Sequence, residues 1–409
     1  MIQPITDFYD ESLYPGIAEQ FGPYMAVMTD NDGELWGLPR TFDMAVYPYI
    51  YRADYAEDVG VTEAPATIDD LNTLLYLFQS EDVAGEGKTI PLICTGIGEL
   101  EWSLLAGYTD YGRGLWLDST DNKIKLWYVQ PGYKDFLTQV AQWYADGILY
   151  KESFNINVQQ LRELVTEGRV CSSLQWHSSM GIALQTMYQA DENTEAVGAF
   201  THKLTGPKGL CETAYKGSST GLLISAKASD AVVAACLKMV DLELSNLDAW
   251  YNSTYGMDAW KYIEGSEIAA EATVPTEDVA TETYQGEYRV ALGKTRIDEF
   301  NELFKTDARY VESNGETAGL FFYYMYTRQY SSVDDVYQPF DFHLNFNGTA
   351  VSEEVPEYSD VNRMYEEEVV KFVTGVRSLD EWDDFIAELY AAGMDKVEDA
   401  YTAQYADMQ

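Results

Sequence analysis

Between Leu35 and Phe78 a turn, a strand, a short helix and a capped longer helix follow one another, and this alternation restricts the fold more than any other feature. Asp30-Asn31-Asp32-Gly33 is a strong turn signal. It joins Tyr24 to Met28 with Glu34 to Pro39 and predicts a β-hairpin. Met44 to Tyr51 reads as a buried strand. Thr67 then stands before Ile68-Asp69-Asp70 as an N-cap with acidic residues in the first helical turn. Leu71, Leu74, Leu75 and Phe78 form the apolar stripe of that helix. Aromatic side chains crowd where the strand would leave its sheet. That layout suits a protein that grips a polar, flat-faced ligand.

The same alternation continues downstream. Thr89 to Thr95 is a short apolar run after a Gly-rich loop and predicts a strand. Tyr133 to Asp146 is amphipathic and ends at Gly147; Val158 to Glu167 repeats the pattern and ends at Gly168. Arg169 to Trp176 and Gly221 to Ser225 read as strands. Asp230 to Leu244 reads as a helix with Val232, Val233, Cys236, Leu237 and Val240 on one side. Ile5 to Gln20 predicts one or two short helices, Ala270 to Glu287 a surface excursion, and Asn362 to Met408 helices with a break at Thr374-Gly375. Strands alternating with helices indicate an α/β architecture.

A chain of 409 residues with 46% hydrophobic residues exceeds what one lobe around one core holds, so two lobes are expected. No run of about 18 apolar residues occurs. The formal net charge of −42 repels nucleic acid and anionic lipid, which makes both poor partners. Disorder does not explain this charge, because acidic disordered chains are poor in aromatics and this one carries 32 Tyr, 16 Phe and 9 Trp. Cys94, Cys171, Cys211 and Cys236 show no C-x-x-C spacing and read as free, buried thiols. The first residues, Met-Ile-Gln-Pro-Ile-Thr-Asp, show neither a charged n-region nor an apolar h-region.

Catalytic signatures are missing. His177, His202 and His343 are far apart, and no nucleophile elbow, phosphate loop or dinucleotide fingerprint is present. Glu99 and Glu101 beside Trp102 are the best carboxylate pair for acid–base work, and solvated loop carboxylates are the favoured reading of them. The frame Asp82-x-x-x-Glu86-x-Lys88 is faintly like a calcium loop, but Ala84 and Lys88 supply no ligand where one is needed, so a simple Gly-rich turn is expected.

Four stretches resemble a known family. They are Leu35-Trp-Gly-Leu-Pro-Arg40 through Tyr51-Arg-Ala-Asp54 to Thr67-Ile-Asp-Asp-Leu71; Ile90-Pro-Leu92; Tyr255-Gly-Met-Asp258 with Trp260 and Tyr262; and Lys371-Phe-Val-Thr-Gly-Val-Arg377 with Leu379, Glu381-Trp382 and Phe385. Together they span most of the chain, and the last is the most specific. On these residues the chain resembles the extracellular solute-binding proteins, family 1, of bacterial carbohydrate ABC importers. Members begin with a signal peptide, a lipid-attachment Cys and a first strand–helix–strand unit; this sequence reads as starting after that unit.

The resemblance implies an α/β, two-lobed periplasmic-binding-protein-like fold (type II) with the ligand cleft between the lobes and a helical C-terminal region. It places residues 1–95 plus 218–300 in a first lobe and 96–217 plus 301–409 in a second. It implies a non-enzymatic function, capture of a carbohydrate by hinge closure and delivery to ABC permease transmembrane subunits. No cofactor or metal is expected, and a lipid-anchored monomer on the extracellular face is. Trp36, Arg40, Tyr47, Tyr51, Trp102, Trp176, His177, Tyr255 and Asp258 are the expected ligand-binding residues. Aromatic plates suit the apolar faces of sugars, and polar side chains suit their hydroxyl edges. Tyr49 lies in the same stretch, and Phe372 and Trp382 are expected in the core. The competing reading is a carbohydrate-active hydrolase or lyase using Glu99 or Glu101 with Asp258.

Overall fold

The strand Tyr49–Arg52 pairs antiparallel with Ser172–Leu174 on one side and Gly198–Phe200 on the other. Its side chains alternate between two cores, as the period of a strand dictates. Tyr49 and Tyr51 join a large apolar cluster with Phe78, Phe136, Trp143 and Phe372; Ile50 joins a smaller one with Leu161, Met180 and Leu184. The structure is a computed structural model that describes residues 1–22, 25, 28–30, 32–39, 43–44, 47–176, 178–190, 196, 198–201, 203–216, 221–257, 259–262, 265, 270–273, 336–341, 344 and 346–409.

The chain divides into two units, Met1–Met44 with Lys216–Val311 and Ala45–Tyr215 with Glu312–Gln409. The first crossing therefore lies at residue 44 rather than near residue 95, and residues 45–95 belong with the second unit. Pairing explains the difference. Beyond the sheet contacts of Tyr49–Arg52, parallel bridges tie Ile90 to Val170 and Ile93 to Ser173. A single strand's pattern shows that it is buried but not which strands flank it.

In the first unit, Gly221–Ser225 is the central strand of an antiparallel sheet, with Ile2–Gln3 and Gly37–Pro39 beside it. The helices Pro15–Phe21 and Asp230–Ser245 cover this sheet, and Ile5, Ile17, Leu38, Ile224, Val233, Leu237 and Val240 form the core. The expected turn at Asp30–Gly33 is present: Asp30 Oδ1 accepts the amides of Asp32 and Glu34, and Thr29 bridges Leu35. Its incoming arm is not the predicted strand. Met25 and Met28 lie in helical turns, and Tyr24, Ala26 and Val27 lie outside the described residues. The outgoing arm pairs instead with Gly221–Leu223. Val232, expected on the buried side of its helix, is 49% exposed, because the buried stripe runs through Val233, Leu237, Val240 and Leu244.

The second unit follows the predicted pattern of helices closely. Thr67 caps Ile68–Glu81, its hydroxyl accepting the Asp70 amide while the Asp70 carboxylate accepts the Thr67 amide. Tyr133–Asp146 stops at Gly147, and Val158–Thr166 is capped by Asn157. The C-terminal helices are Tyr358–Thr374, Trp382–Ala391 and Met394–Asp407, with Phe372 and Trp382 buried as expected. The break at Gly375 is joined by a second at Gly393, which the hydrophobic pattern did not signal. Cys94, Cys171 and Cys211 are buried and Cys236 half-buried, all four unpaired. Burial pushes the Cys94 thiol up to about 12, so it is inert. Among the described residues no helix is long and apolar enough to cross a membrane.

Candidate functional site

Three of the sequence-selected aromatics converge on the second unit. Tyr47 lies two residues ahead of the strand Tyr49–Arg52, Trp102 on the helix Ile97–Leu104, and Trp176 between the strand Ser172–Leu174 and the helix Ser178–Ala190. Tyr47 stacks on Trp102 with ring centroids 5.8 Å apart and planes 7° apart, and meets Trp176 edge-on at 5.5 Å. All three are half-buried. Each is also fixed through its backbone. The Tyr47 amide donates to Glu212 Oε1 at 2.8 Å, the Trp102 carbonyl accepts the Thr213 amide at 2.8 Å, and the Trp176 amide donates to Gln175 Oε1 at 2.7 Å.

The pocket behind Tyr47 is small, about 10 Å³, and is lined by Tyr47, Tyr49, Ser103, Thr201, Lys203 and Glu212 among others. That is room for about one water. A sugar ring does not fit within it.

The helix that carries Trp102 turns its other face inward. Glu101 is 1% exposed. Its Oε1 accepts the Trp127 indole N–H at 2.9 Å and the Tyr133 hydroxyl at 2.6 Å, and also the Tyr365 hydroxyl; its Oε2 accepts Arg113 Nε at 3.0 Å. Burial, reinforced by the Glu101 charge, pushes both tyrosine hydroxyls well above their ordinary range, so they stay protonated donors. The Arg113 guanidinium lies 4.5 Å from the Trp102 ring centre and 4.6 Å from that of Trp127. Glu101 is therefore neither a solvated loop carboxylate nor a free acid–base group. Glu99 accepts the Thr95 hydroxyl at 3.0 Å.

The other selected residues fare differently. Tyr51 is 6% exposed and stacks on Tyr49 at 5.5 Å, which makes it core and removes it from the ligand-binding set. Trp36 belongs to the first unit, where its indole N–H donates to Asp30 Oδ2 at 2.7 Å and helps hold that carboxyl below its ordinary range. Arg40, His177 and Asp258 lie outside the described residues, as does the side chain of Tyr255 at the end of the helix Leu247–Tyr255. Near these, Trp260 packs on Tyr251 at 4.9 Å and Tyr262 donates to Asp248 at 2.6 Å.

The sequence reading missed Arg113 and Trp127. Their one signal is local: Arg113 sits between Gly112 and Gly114, an unusual setting for a charged side chain. The loop at Asp82 is closed upon itself, its carboxylate accepting the Gly87 amide at 2.7 Å and the Thr89 hydroxyl at 2.7 Å. Among the described residues no group of three or more His, Cys, Asp or Glu could hold a metal ion.

No protein-family model matches the chain, and no curated protein sequence does. Solved structures do. One is a human-milk-oligosaccharide (HMO) binding, ABC-transporter-associated solute-binding protein from Bifidobacterium longum infantis, 13% identical, with a TM-score of 0.68 over 99% of this chain and 83% of that one. A second is the S. pneumoniae ABC-transporter substrate-binding protein FusA in complex with kestose, 18% identical, with a TM-score of 0.63 over 100% of this chain and 84% of that one. A third is the alginate-binding protein AlgQ2, 15% identical, with a TM-score of 0.60 over 99% and 82%. All three are described as binding proteins. The chain has the α/β fold of the ABC-transporter solute-binding proteins.

Proposed function

We propose that this chain is the substrate-binding component of a bacterial ABC importer, capturing an oligosaccharide and passing it unaltered to membrane permease subunits. The observation that carries this reading is the convergence of Tyr47, Trp102 and Trp176 from three separate elements into one half-buried aromatic surface. Such a surface receives the C–H faces of sugar rings, and neighbouring polar groups receive their hydroxyls. Capture would proceed by closure of the two units about their crossing segments, the ligand shifting the open–closed population by its preference for the closed state. Arg40, His177, Tyr255, Asp258 and Trp36 remain proposed ligand contacts on the strength of the family resemblance. The same resemblance supports a lipid-anchored monomer on the outer face of the cell membrane.

The hydrolase reading loses its best carboxylate. Glu101 is 1% exposed and both its oxygens already accept hydrogen bonds within the protein, which disfavours it as an acid–base group for a glycosidic bond. A thermal-shift screen of the full chain against a glycan panel, with product analysis of every hit, tests the proposal. A rise in melting temperature with intact glycan supports it. Cleavage of a hit, or no stabilisation by any glycan, overturns it.

A further inference from the structure

Resting on that carbohydrate-binding reading, we propose that Arg113 and Glu101 are the positioning residues of the aromatic surface. Arg113 acts as a planar wedge between Trp102 and Trp127, and Glu101 is the buried anchor that sets its angle.

The geometry of the wedge is specific. A guanidinium packs flat against an aromatic face and gains from the ring's quadrupole, more so where water is excluded. Here it is within 4.6 Å of two indole centres at once. Its side chain is 23% exposed and its partner carboxylate 1%. Among the described residues its one side-chain hydrogen bond, Nε to Glu101 Oε2, orients it. That bond alone would leave Glu101 free to turn, but three further donors fix the other oxygen. Trp127 Nε1 comes from the same indole that Arg113 covers, Tyr133 from the helix Tyr133–Asp146, and Tyr365 from the C-terminal helix Tyr358–Thr374. The Tyr133 and Tyr365 hydroxyl oxygens also lie 2.6 Å apart, so the two tyrosines pack tightly around the same carboxylate. A buried carboxylate with all these donors is costly to assemble and costly to leave half-made, which suits a part whose role is to hold angles.

The chain of contact then runs outward: Glu101 to Arg113, Arg113 to Trp102, Trp102 to Tyr47, Tyr47 to Trp176. Trp102 meets the stacked Tyr47 ring and the guanidinium as well, so its angle is set jointly by both. Trp102 thereby supports Tyr47 directly, and Tyr47 in turn meets Trp176. A lysine at 113 could keep the charge but not the planar packing against two indoles.

The test uses the full chain with Arg113→Met, Arg113→Lys and Glu101→Gln. The near-ultraviolet circular dichroism attributable to the Tyr47–Trp102 stack is read as the difference between each protein and its Trp102→Phe derivative, alongside melting temperature. Arg113→Met is expected to remove most of that difference signal while the protein remains folded. Arg113→Lys should fail to restore it, and Glu101→Gln should weaken it. Should Glu101→Gln not fold, the more exposed Arg113 variants still decide. A difference signal unchanged in Arg113→Met, or restored in full by Arg113→Lys, overturns the proposal, since a purely structural residue would lower the melting point without moving the ring pair.

Kestose titration by calorimetry forms the second arm, with an expected loss in Arg113→Met of roughly three- to tenfold in affinity. Affinity for kestose undiminished in that variant would overturn the proposal even where the spectrum changes. If wild-type protein binds neither kestose nor any glycan of the panel, the carbohydrate reading fails and the spectrum alone judges the wedge.

Discussion

The rings of Tyr47 and Trp102 lie 7° from parallel with their centroids 5.8 Å apart. This is an offset stack within the range that aromatic quadrupoles favour. Tyr47 is held at its backbone amide by the buried Glu212, and the Trp102 ring packs against the Arg113 guanidinium.

If this surface receives sugar, Trp176→Ala will weaken oligosaccharide binding by about 0.5–1.5 kcal/mol, or roughly two- to twelvefold, through lost stacking. Tyr51→Ala, which empties a core position instead, will leave the affinity of the folded protein near wild type and lower stability by about 3 kcal/mol. Calorimetry and urea unfolding separate the two. Unchanged affinity in Trp176→Ala would remove that residue from the site.

Stability should fall as pH rises through neutrality on account of Glu398. This carboxyl is 2% exposed, and burial raises it from an ordinary 4.5 to about 7 despite the Tyr390 hydroxyl and Lys125. Between those values the folded chain holds a proton that the unfolded chain has released. The group therefore contributes most below its unfolded value, and its contribution is lost as pH climbs through the folded one, by on the order of 3 kcal/mol. Lys125 stays charged and is held by Asp118 and Asp121 throughout that window. Glu398→Gln, neutral at every pH, should flatten this dependence. Urea midpoints compared at about pH 5 and about pH 8 check it, and a wild-type-minus-variant difference that is the same at both would refute it.

Gly132→Ala should destabilise the protein by at least about 2 kcal/mol. Gly132 precedes the helix Tyr133–Asp146 at φ +92°, and an added Cβ would sit 2.2 Å from the Tyr108 carbonyl oxygen. Because Tyr133 follows directly, the shift should also disturb its bond to Glu101. Thermal unfolding gives the cost; a variant with wild-type melting temperature would show that the loop yields freely.

Local chemistry was legible wherever it acts within a few residues. The Thr67–Asp70 cap, the stops at Gly147 and Gly375, and the turn at Asp30 all stand where the sequence predicted them, because each is a short-range bargain between a side chain and neighbouring amides. Tyr51 and Tyr47 show the limit. Both belong to one aromatic run of the same parity, yet one is buried under helices and the other, beyond the strand's first residue, emerges at its end. Periodicity gives the side of a strand but not where the covering layer stops.

The sequence by itself determined an α/β chain with an aromatic, histidine-poor chemistry, since these follow from composition and near-neighbour spacing. Only the tertiary structure decided that residues 45–95 join the second unit, and that Glu101 is a buried anchor for Arg113 rather than a solvated or catalytic acid. The reason is physical: strand partners and ion-pair partners far apart in sequence are chosen by the burial they share, and no local pattern carries that choice.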